Sequence, residues 1–129
     1  MRKLTAEDGE DVHGRALSVN PALSKNWVAL GKVGPVKNQG SCGSCWAFSA
    51  LSTQESIDMI AWNAPYTRLS EQQALECTIG SCGGGWMRYS WNDSIANGNA
   101  RNADYPYTAT SSSPCAAAGL QRYSRVSQW

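Results

Sequence analysis

Lys37-Asn38-Gln39-Gly40-Ser41-Cys42-Gly43-Ser44-Cys45-Trp46-Ala47-Phe48-Ser49-Ala50 is the stretch on which the reading of this chain turns. Up to Ser44 it consists of glycine and small polar residues, a composition that makes loop. From Cys45 to about Ala61 it is good helix-forming sequence, so Cys45 falls at a helix N-terminus. The first backbone N–H groups of a helix lack internal partners and carry partial positive charge, which favours a thiolate. The thiolate is the reactive form of cysteine.

With 129 residues, a net charge of +1 and 16% charged residues, the chain suits one domain with a modest core. This balance gives no basic footprint for nucleic acid and no polybasic membrane patch. No apolar run approaches the ~20 residues of a membrane span. The start Met1-Arg2-Lys3-Leu4-Thr5-Ala6-Glu7-Asp8 has no apolar segment after its charges, so no signal peptide is expected in this chain. The five cysteines, Cys42, Cys45, Cys77, Cys82 and Cys115, are an odd number, which fits two bridges and one thiol, although spacing alone does not choose the pairs. A zinc site of Cys42, Cys45, Cys77 and Cys82 is the competing use. Its second spacing is loose and Cys45 is better explained by the helix start, so no metal and no cofactor is expected.

Residues 1–20 are polar, without an apolar period, and read as a flexible or propeptide-like arm. The arm contains His13, the chain's one histidine, expected to be solvated rather than paired with Cys45. The first helix places Ala47, Ala50, Leu51, Gln54, Ile57, Ile60 and Ala61 on a buried stripe, with Trp46 and Phe48 at its start. Gln54 on that stripe needs a hydrogen-bonding partner. Leu69-Ser70-Glu71-Gln72-Gln73 announces a second helix, to about Cys77, with Ser70 and Gln73 as a capping box. Trp86 to Ala96, with Trp86, Met87, Tyr89, Ser90, Trp91 and Ile95 as its apolar positions, suits a third, ended by Asn97-Gly98. Asn92-Asp93-Ser94 is a glycosylation sequon, read as chance because it falls on a helix.

The segment Gln39 to Ser49 resembles the nucleophile motif of papain-like cysteine peptidases, and Gly31 to Gln39, Leu69 to Cys77, Cys82 to Met87 and Asp104-Tyr105-Pro106-Tyr107 resemble further segments of that family. The resemblance covers residues 21–118. It implies a mainly α fold: the helical left lobe of the papain-like α+β fold with two disulfides, the right β lobe absent and residues 119–129 the truncated start of the connection to it. It further implies the bridges Cys42–Cys82 and Cys77–Cys115, with Cys45 free as the nucleophile. The Gln39 amide would join the Cys45 N–H in an oxyanion hole. Gly84 and Gly85 would line the substrate cleft, with Trp86 and Met87 near the pocket for the substrate's second residue before the cut. Asn26 stands where the family usually carries an aspartate, so an ion pair there is not expected.

The resemblance implies that the family's histidine and asparagine lie far downstream, in the second lobe. The expected function is therefore the nucleophile-bearing lobe of a cysteine endopeptidase, inactive alone, whose substrate is a peptide or protein once a second lobe completes it. The alternative is a non-catalytic interaction module whose cleft face, near Trp27, Trp46 and Trp86, buries against a protein partner. Two bridges place the parent protein in an oxidising compartment, secretory, lysosomal or vacuolar.

Overall fold

The computed structural model describes residues 24–129; the expected arm over residues 1–20, including His13, lies outside the described residues. Three helices order the remainder: α1 (Cys45–Ala61), α2 (Glu71–Cys77) and α3 (Met87–Asn97). Isolated bridges join Leu69 to Arg101, Ser81 to Gly84 and Asn99 to Ser124, without a named strand among the described residues. The mainly helical lobe expected from the sequence is the architecture found. Cys42, Trp46, Ala47, Leu51, Leu69, Ala74 and Leu75 form its apolar core.

The helix α1 buries a side that differs from the expected stripe. Ala47, Ala50, Leu51 and Gln54 are buried, but the side continues through Glu55 and Met59, while Ile57, Ile60 and Ala61 are exposed. The rotation has an electrostatic cause. Lys37 Nζ lies 2.6 Å from Glu55 and 3.0 Å from Glu71, all with buried side chains, so a carboxylate is drawn inward where an aliphatic side would otherwise turn. At the far end of α1, Lys32 Nζ donates to the Met59 carbonyl at 2.7 Å and to Asn63 Oδ1 at 2.9 Å, a cation placed where a helix leaves its carbonyls unpaired.

The cap at Ser70 forms as read, with Ser70 Oγ accepting from the Gln73 N–H at 3.0 Å. Gln73 does not reach back to complete a box. Its amide donates to Asp93 and to the Gly98 carbonyl at 2.7 and 2.9 Å and accepts from the Ala100 N–H at 2.9 Å. The Ser70 N–H that a box would satisfy is already taken by the Ala100 carbonyl. The expected apolar face of α3 is corrected for a related reason. Of the expected positions Tyr89 packs on the core and Ser90 is buried, but Trp86, Met87 and Ile95 are exposed, and Asp93 and Ser94 are buried instead because amides from α2 and α1 reach them. Gln54 Nε2 lies within hydrogen-bonding distance of Ser94 Oγ, Asn99 Oδ1 and Ser124 Oγ, which share its two hydrogens, while Gln54 Oε1 is buried without a partner, so the expected need is met on the donor side only.

Both disulfides have the expected partners, Cys42 with Cys82 and Cys77 with Cys115. The first takes two of the sulfurs that a four-thiolate zinc site would use. Asn26, in place of a carboxylate, accepts the Ala29 N–H at 3.0 Å and caps a local turn. Residues 119–129 lie on the lobe, where the Asn99 N–H donates to the Ser124 carbonyl and the Tyr123 N–H donates to the Asn99 carbonyl, both at 2.8 Å.

Candidate active site

The thiol of Cys45 is free and exposed, on the first residue of α1. Trp46, the next residue, is 3% exposed, so the helix start is pinned by a ring in the core while the sulfur faces out. The burial of Trp46 agrees with its expected place at the start of the buried stripe, whereas Trp27 and Trp86 are exposed at 39% and 62%. The buried ring explains two glycines. A Cβ on Gly80 would lie 2.3 Å from the Trp46 ring and one on Gly85 2.6 Å from it, so both positions are held to glycine by packing.

Two distant stretches meet at this point. The Cys42–Cys82 bridge is reinforced by the Gly43 N–H donating to the Cys82 carbonyl at 2.9 Å, and by Trp46 Nε1 donating to the Ser81 carbonyl at 3.3 Å. The loop of Gly84, Gly85, Trp86 and Met87 is thus fastened beside the loop that presents Cys45. Gly84 is exposed with φ +128°, a backbone that side chains rarely adopt, and nothing lies within 4 Å of where its Cβ would be. Gly84 therefore leaves open surface, whereas Gly85 fits under Trp46.

Gln39 donates from Nε2 to the Cys42 carbonyl at 2.9 Å. A side-chain amide has two N–H donors, so this bond anchors the group and leaves a second hydrogen for another acceptor. The Gln39 carbonyl accepts from the Tyr107 hydroxyl at 2.5 Å, and Tyr107 Oη lies 2.7 Å from Ser44 Oγ. Tyr107 and the Lys37–Glu55–Glu71 cluster are the site-supporting groups that sequence reasoning missed. Only the Tyr-Pro-Tyr string hinted at the first, and nothing local pairs residue 37 with residues 55 and 71. Burial, the largest cause, raises Glu55 above its usual range, against the opposing pull of Lys37 and the Leu69 N–H.

The arrangement offers an accessible sulfur, unpaired N–H groups at a helix start and an anchored amide on one rigid loop. That is a set suited to nucleophilic attack on a carbonyl. The model of the papain family cysteine proteases matches residues 22–128. Oryzain beta chain of Oryza sativa subsp. japonica is 47% identical over 91 residues, 67% of this chain and 19% of oryzain. Ananain of Ananas comosus is 47% identical over 88 residues, 67% of this chain and 25% of ananain. The solved bromelain protease from Ananas comosus, in complex with an inhibitor, matches with a TM-score of 0.75 at 40% identity, over 80% of this chain and 48% of that one. The chain spans 19% and 25% of those two curated relatives and 48% of the bromelain chain. A match that runs through the Cys45 loop, both bridges and the glycine loop places this chain in the papain family of cysteine proteases.

Proposed function

We propose that the chain is the nucleophile-bearing lobe of a papain-like cysteine endopeptidase, with residues 21–118 as the lobe and residues 119–129 as the start of the connection to a second one. The observation that carries this is the free, exposed Cys45 thiol at the start of α1. In this reading the thiolate attacks a peptide carbonyl carbon and forms a C–S bond, and the carbonyl electron pair moves to oxygen. The Cys45 N–H and the second Gln39 amide hydrogen stabilise that oxyanion. Gly84, whose N–H and carbonyl are bonded to Ser81, and Gly85 line the cleft, Gly85 pairs with the substrate backbone, and Trp86 and Met87, both exposed, border the pocket for the second residue before the cut. The leaving amine needs a proton, which the family's histidine supplies from the second lobe; no described residue is a histidine.

Peptide hydrolysis by the purified 129-residue chain is the decisive measurement. The expected result is no turnover above a Cys45→Ala control, although iodoacetamide modifies the thiol. Turnover that Cys45→Ala abolishes would refute the need for a second lobe. The bridges suit an oxidising compartment, secretory, lysosomal or vacuolar.

A reading as an interaction module draws on a different feature. A groove of about 510 Å³ is lined by Ile57, Ala61, Trp62, Trp91, Val126 and Trp129, among others, and Trp62 and Trp129 are 78% and 63% exposed. Such a face is a contact surface for protein. A partner that brings an imidazole to Cys45 supports catalysis, and one that plugs the Cys45 cleft supports scaffolding. No helix of the described residues is long and apolar enough to cross a membrane.

A further inference from the structure

The phenol of Tyr107 sits where the two segments around the thiol converge. Its single proton goes to the Gln39 carbonyl, 2.5 Å away, so the 2.7 Å contact with Ser44 must have the Ser44 hydroxyl as donor. The ring is fixed by an edge-to-face contact with Phe48, centroids 4.9 Å apart, and the Tyr107 N–H donates to Asn102 Oδ1 at 3.1 Å. Ser44 is fully buried and precedes α1, the place where a serine ordinarily caps the helix. It makes no side-chain cap bond, and its φ of −101° and ψ of 14° lie outside the extended conformation that such caps use. Its carbonyl still receives the Ala47 and Phe48 N–H groups. The hydroxyl is turned away, and the foremost N–H groups keep their field for whatever stands before them.

We infer that Tyr107 is a positioning residue for the nucleophile. It holds the Ser44 hydroxyl off the start of α1 and ties that residue to the Gln39 carbonyl, so the N–H groups at Cys45 act on the sulfur and on the oxyanion instead of on a cap. The inference rests on the reading of Cys45 as nucleophile. Without the phenol hydroxyl, Ser44 Oγ keeps only its 3.4 Å contact with the Cys42 carbonyl, and the residue can relax toward the extended conformation in which its hydroxyl accepts from the first N–H groups of α1. An oxygen lone pair then stands where the thiolate needs positive charge.

The test is alkylation of the 129-residue chain by iodoacetamide, followed by mass spectrometry from pH 6 to 9. A carbon–sulfur bond forms, iodide leaves and the thiol proton goes to solvent. With four cysteines bridged, Cys45 gives the one adduct expected from an intact chain. Tyr107→Phe, which keeps the ring on Phe48, should slow the reaction about threefold at pH 7 and move its pH profile to the alkaline side, a size typical of helix-end effects. Adding Ser44→Ala to Tyr107→Phe should recover the lost rate, because the competing oxygen is gone. A merely structural role for Tyr107 predicts no recovery when a second bond is removed. A folded Tyr107→Phe chain with the parent profile overturns the inference, as does a double variant as slow as Tyr107→Phe. If Tyr107→Phe does not fold, Ser44→Ala alone decides. It should react no more slowly than the parent, and slower reaction overturns the proposal. An unreactive Cys45 in the parent chain would instead sink the nucleophile reading itself.

Discussion

Replacing Lys37 with methionine keeps the length and much of the apolar stem of the side chain and removes the ammonium that faces Glu55 and Glu71. In the parent chain Lys37 Nζ donates to both Glu55 oxygens, at 2.6 and 2.7 Å, and lies 3.0 Å from Glu71 Oε1. The exposures of these side chains are 7%, 1% and 0%, so little solvent replaces the lost partner. Breaking one member of a buried ion pair typically costs about 3–5 kcal/mol. The lower end applies here, about 3 kcal/mol, because Glu71 keeps Arg68 at 3.1 Å and accepts a hydrogen bond from it. Against a total of about 5–15 kcal/mol for a typical domain, that loss is large. The effect must also depend on pH. Burial already raises Glu55 above its ordinary 4.5, with the Lys37 hydrogen bond and charge as the largest opposing causes. A folded value above the unfolded one means that the carboxyl's contribution is complete below pH 4.5 and is lost as pH rises through the folded value. Lys37→Met removes the opposing causes, so the loss with rising pH should be steeper in the variant. Urea unfolding followed by tryptophan fluorescence, with disulfides intact, at pH 5 and pH 7.5 measures both quantities. A difference from the parent below about 1 kcal/mol, the size of an exposed pair, refutes the reasoning. So does a difference that shrinks between pH 5 and pH 7.5. Adding Glu55→Gln to Lys37→Met should restore part of the stability, since one uncompensated charge is removed and the Leu69 N–H keeps an acceptor.

Gly85→Ala places a Cβ 2.6 Å from the Trp46 ring and should cost about 1–3 kcal/mol in urea unfolding, with a changed near-ultraviolet spectrum for the displaced indole. Gly84→Ala meets no atom within 4 Å and should cost only its backbone strain, about 1–2 kcal/mol, with that spectrum unchanged. Removing the Cys77–Cys115 bridge with two alanines should cost about 4 kcal/mol by the chain-entropy relation, for a sequence separation of 38 residues. A loss below about 1 kcal/mol would mean that the open chain is already held together there. Tyr105 is raised above its ordinary 10.0, first by burial and then by the Glu76 carboxylate that accepts its hydrogen bond. Its contribution is therefore complete below pH 10 and is lost as pH rises through the folded value. Tyr105→Phe should flatten the fall in stability above pH 10, and equal slopes in parent and variant would refute this.

The parts of the fold legible in the sequence are those whose causes are local. The glycine-rich loop before Cys45, the Ser70 cap and the Asn97-Gly98 stop each act within a few residues, and the helices lie where these signals put them. The disulfide partners came from the family pattern, since spacing alone leaves the pairing open. The side each helix buries was the poorly legible part. Periodicity ranks residues by hydrophobicity, whereas α1 turns Glu55 inward because Lys37 is there to meet it, and α3 buries Asp93 and Ser94 because Gln73 and Gln54 arrive from other helices. Ile57 and Ile60 obeyed the pattern as residues but face away from the packed side.

These misread polar groups determine how the thiol is held. A short helix such as α2 buries too little apolar surface to fix the loops around it, and its glutamines supply the rest by bonding to backbone. Gln72 donates to the Thr110 carbonyl at 2.7 Å and accepts the Thr108 N–H at 2.9 Å, and Gln73 takes the Ala100 N–H and the Gly98 carbonyl. The segment pinned between those contacts carries Tyr107, whose hydroxyl reaches the Gln39 carbonyl. Burying an amide is favourable only when its hydrogen bonds are made, so Gln72 stabilises one loop conformation and penalises the others. The course of the chain from α2 through Tyr107 to the Cys45 loop is therefore set by paired polar atoms rather than by apolar packing alone. That is why a site at the edge of so small a core stays in place.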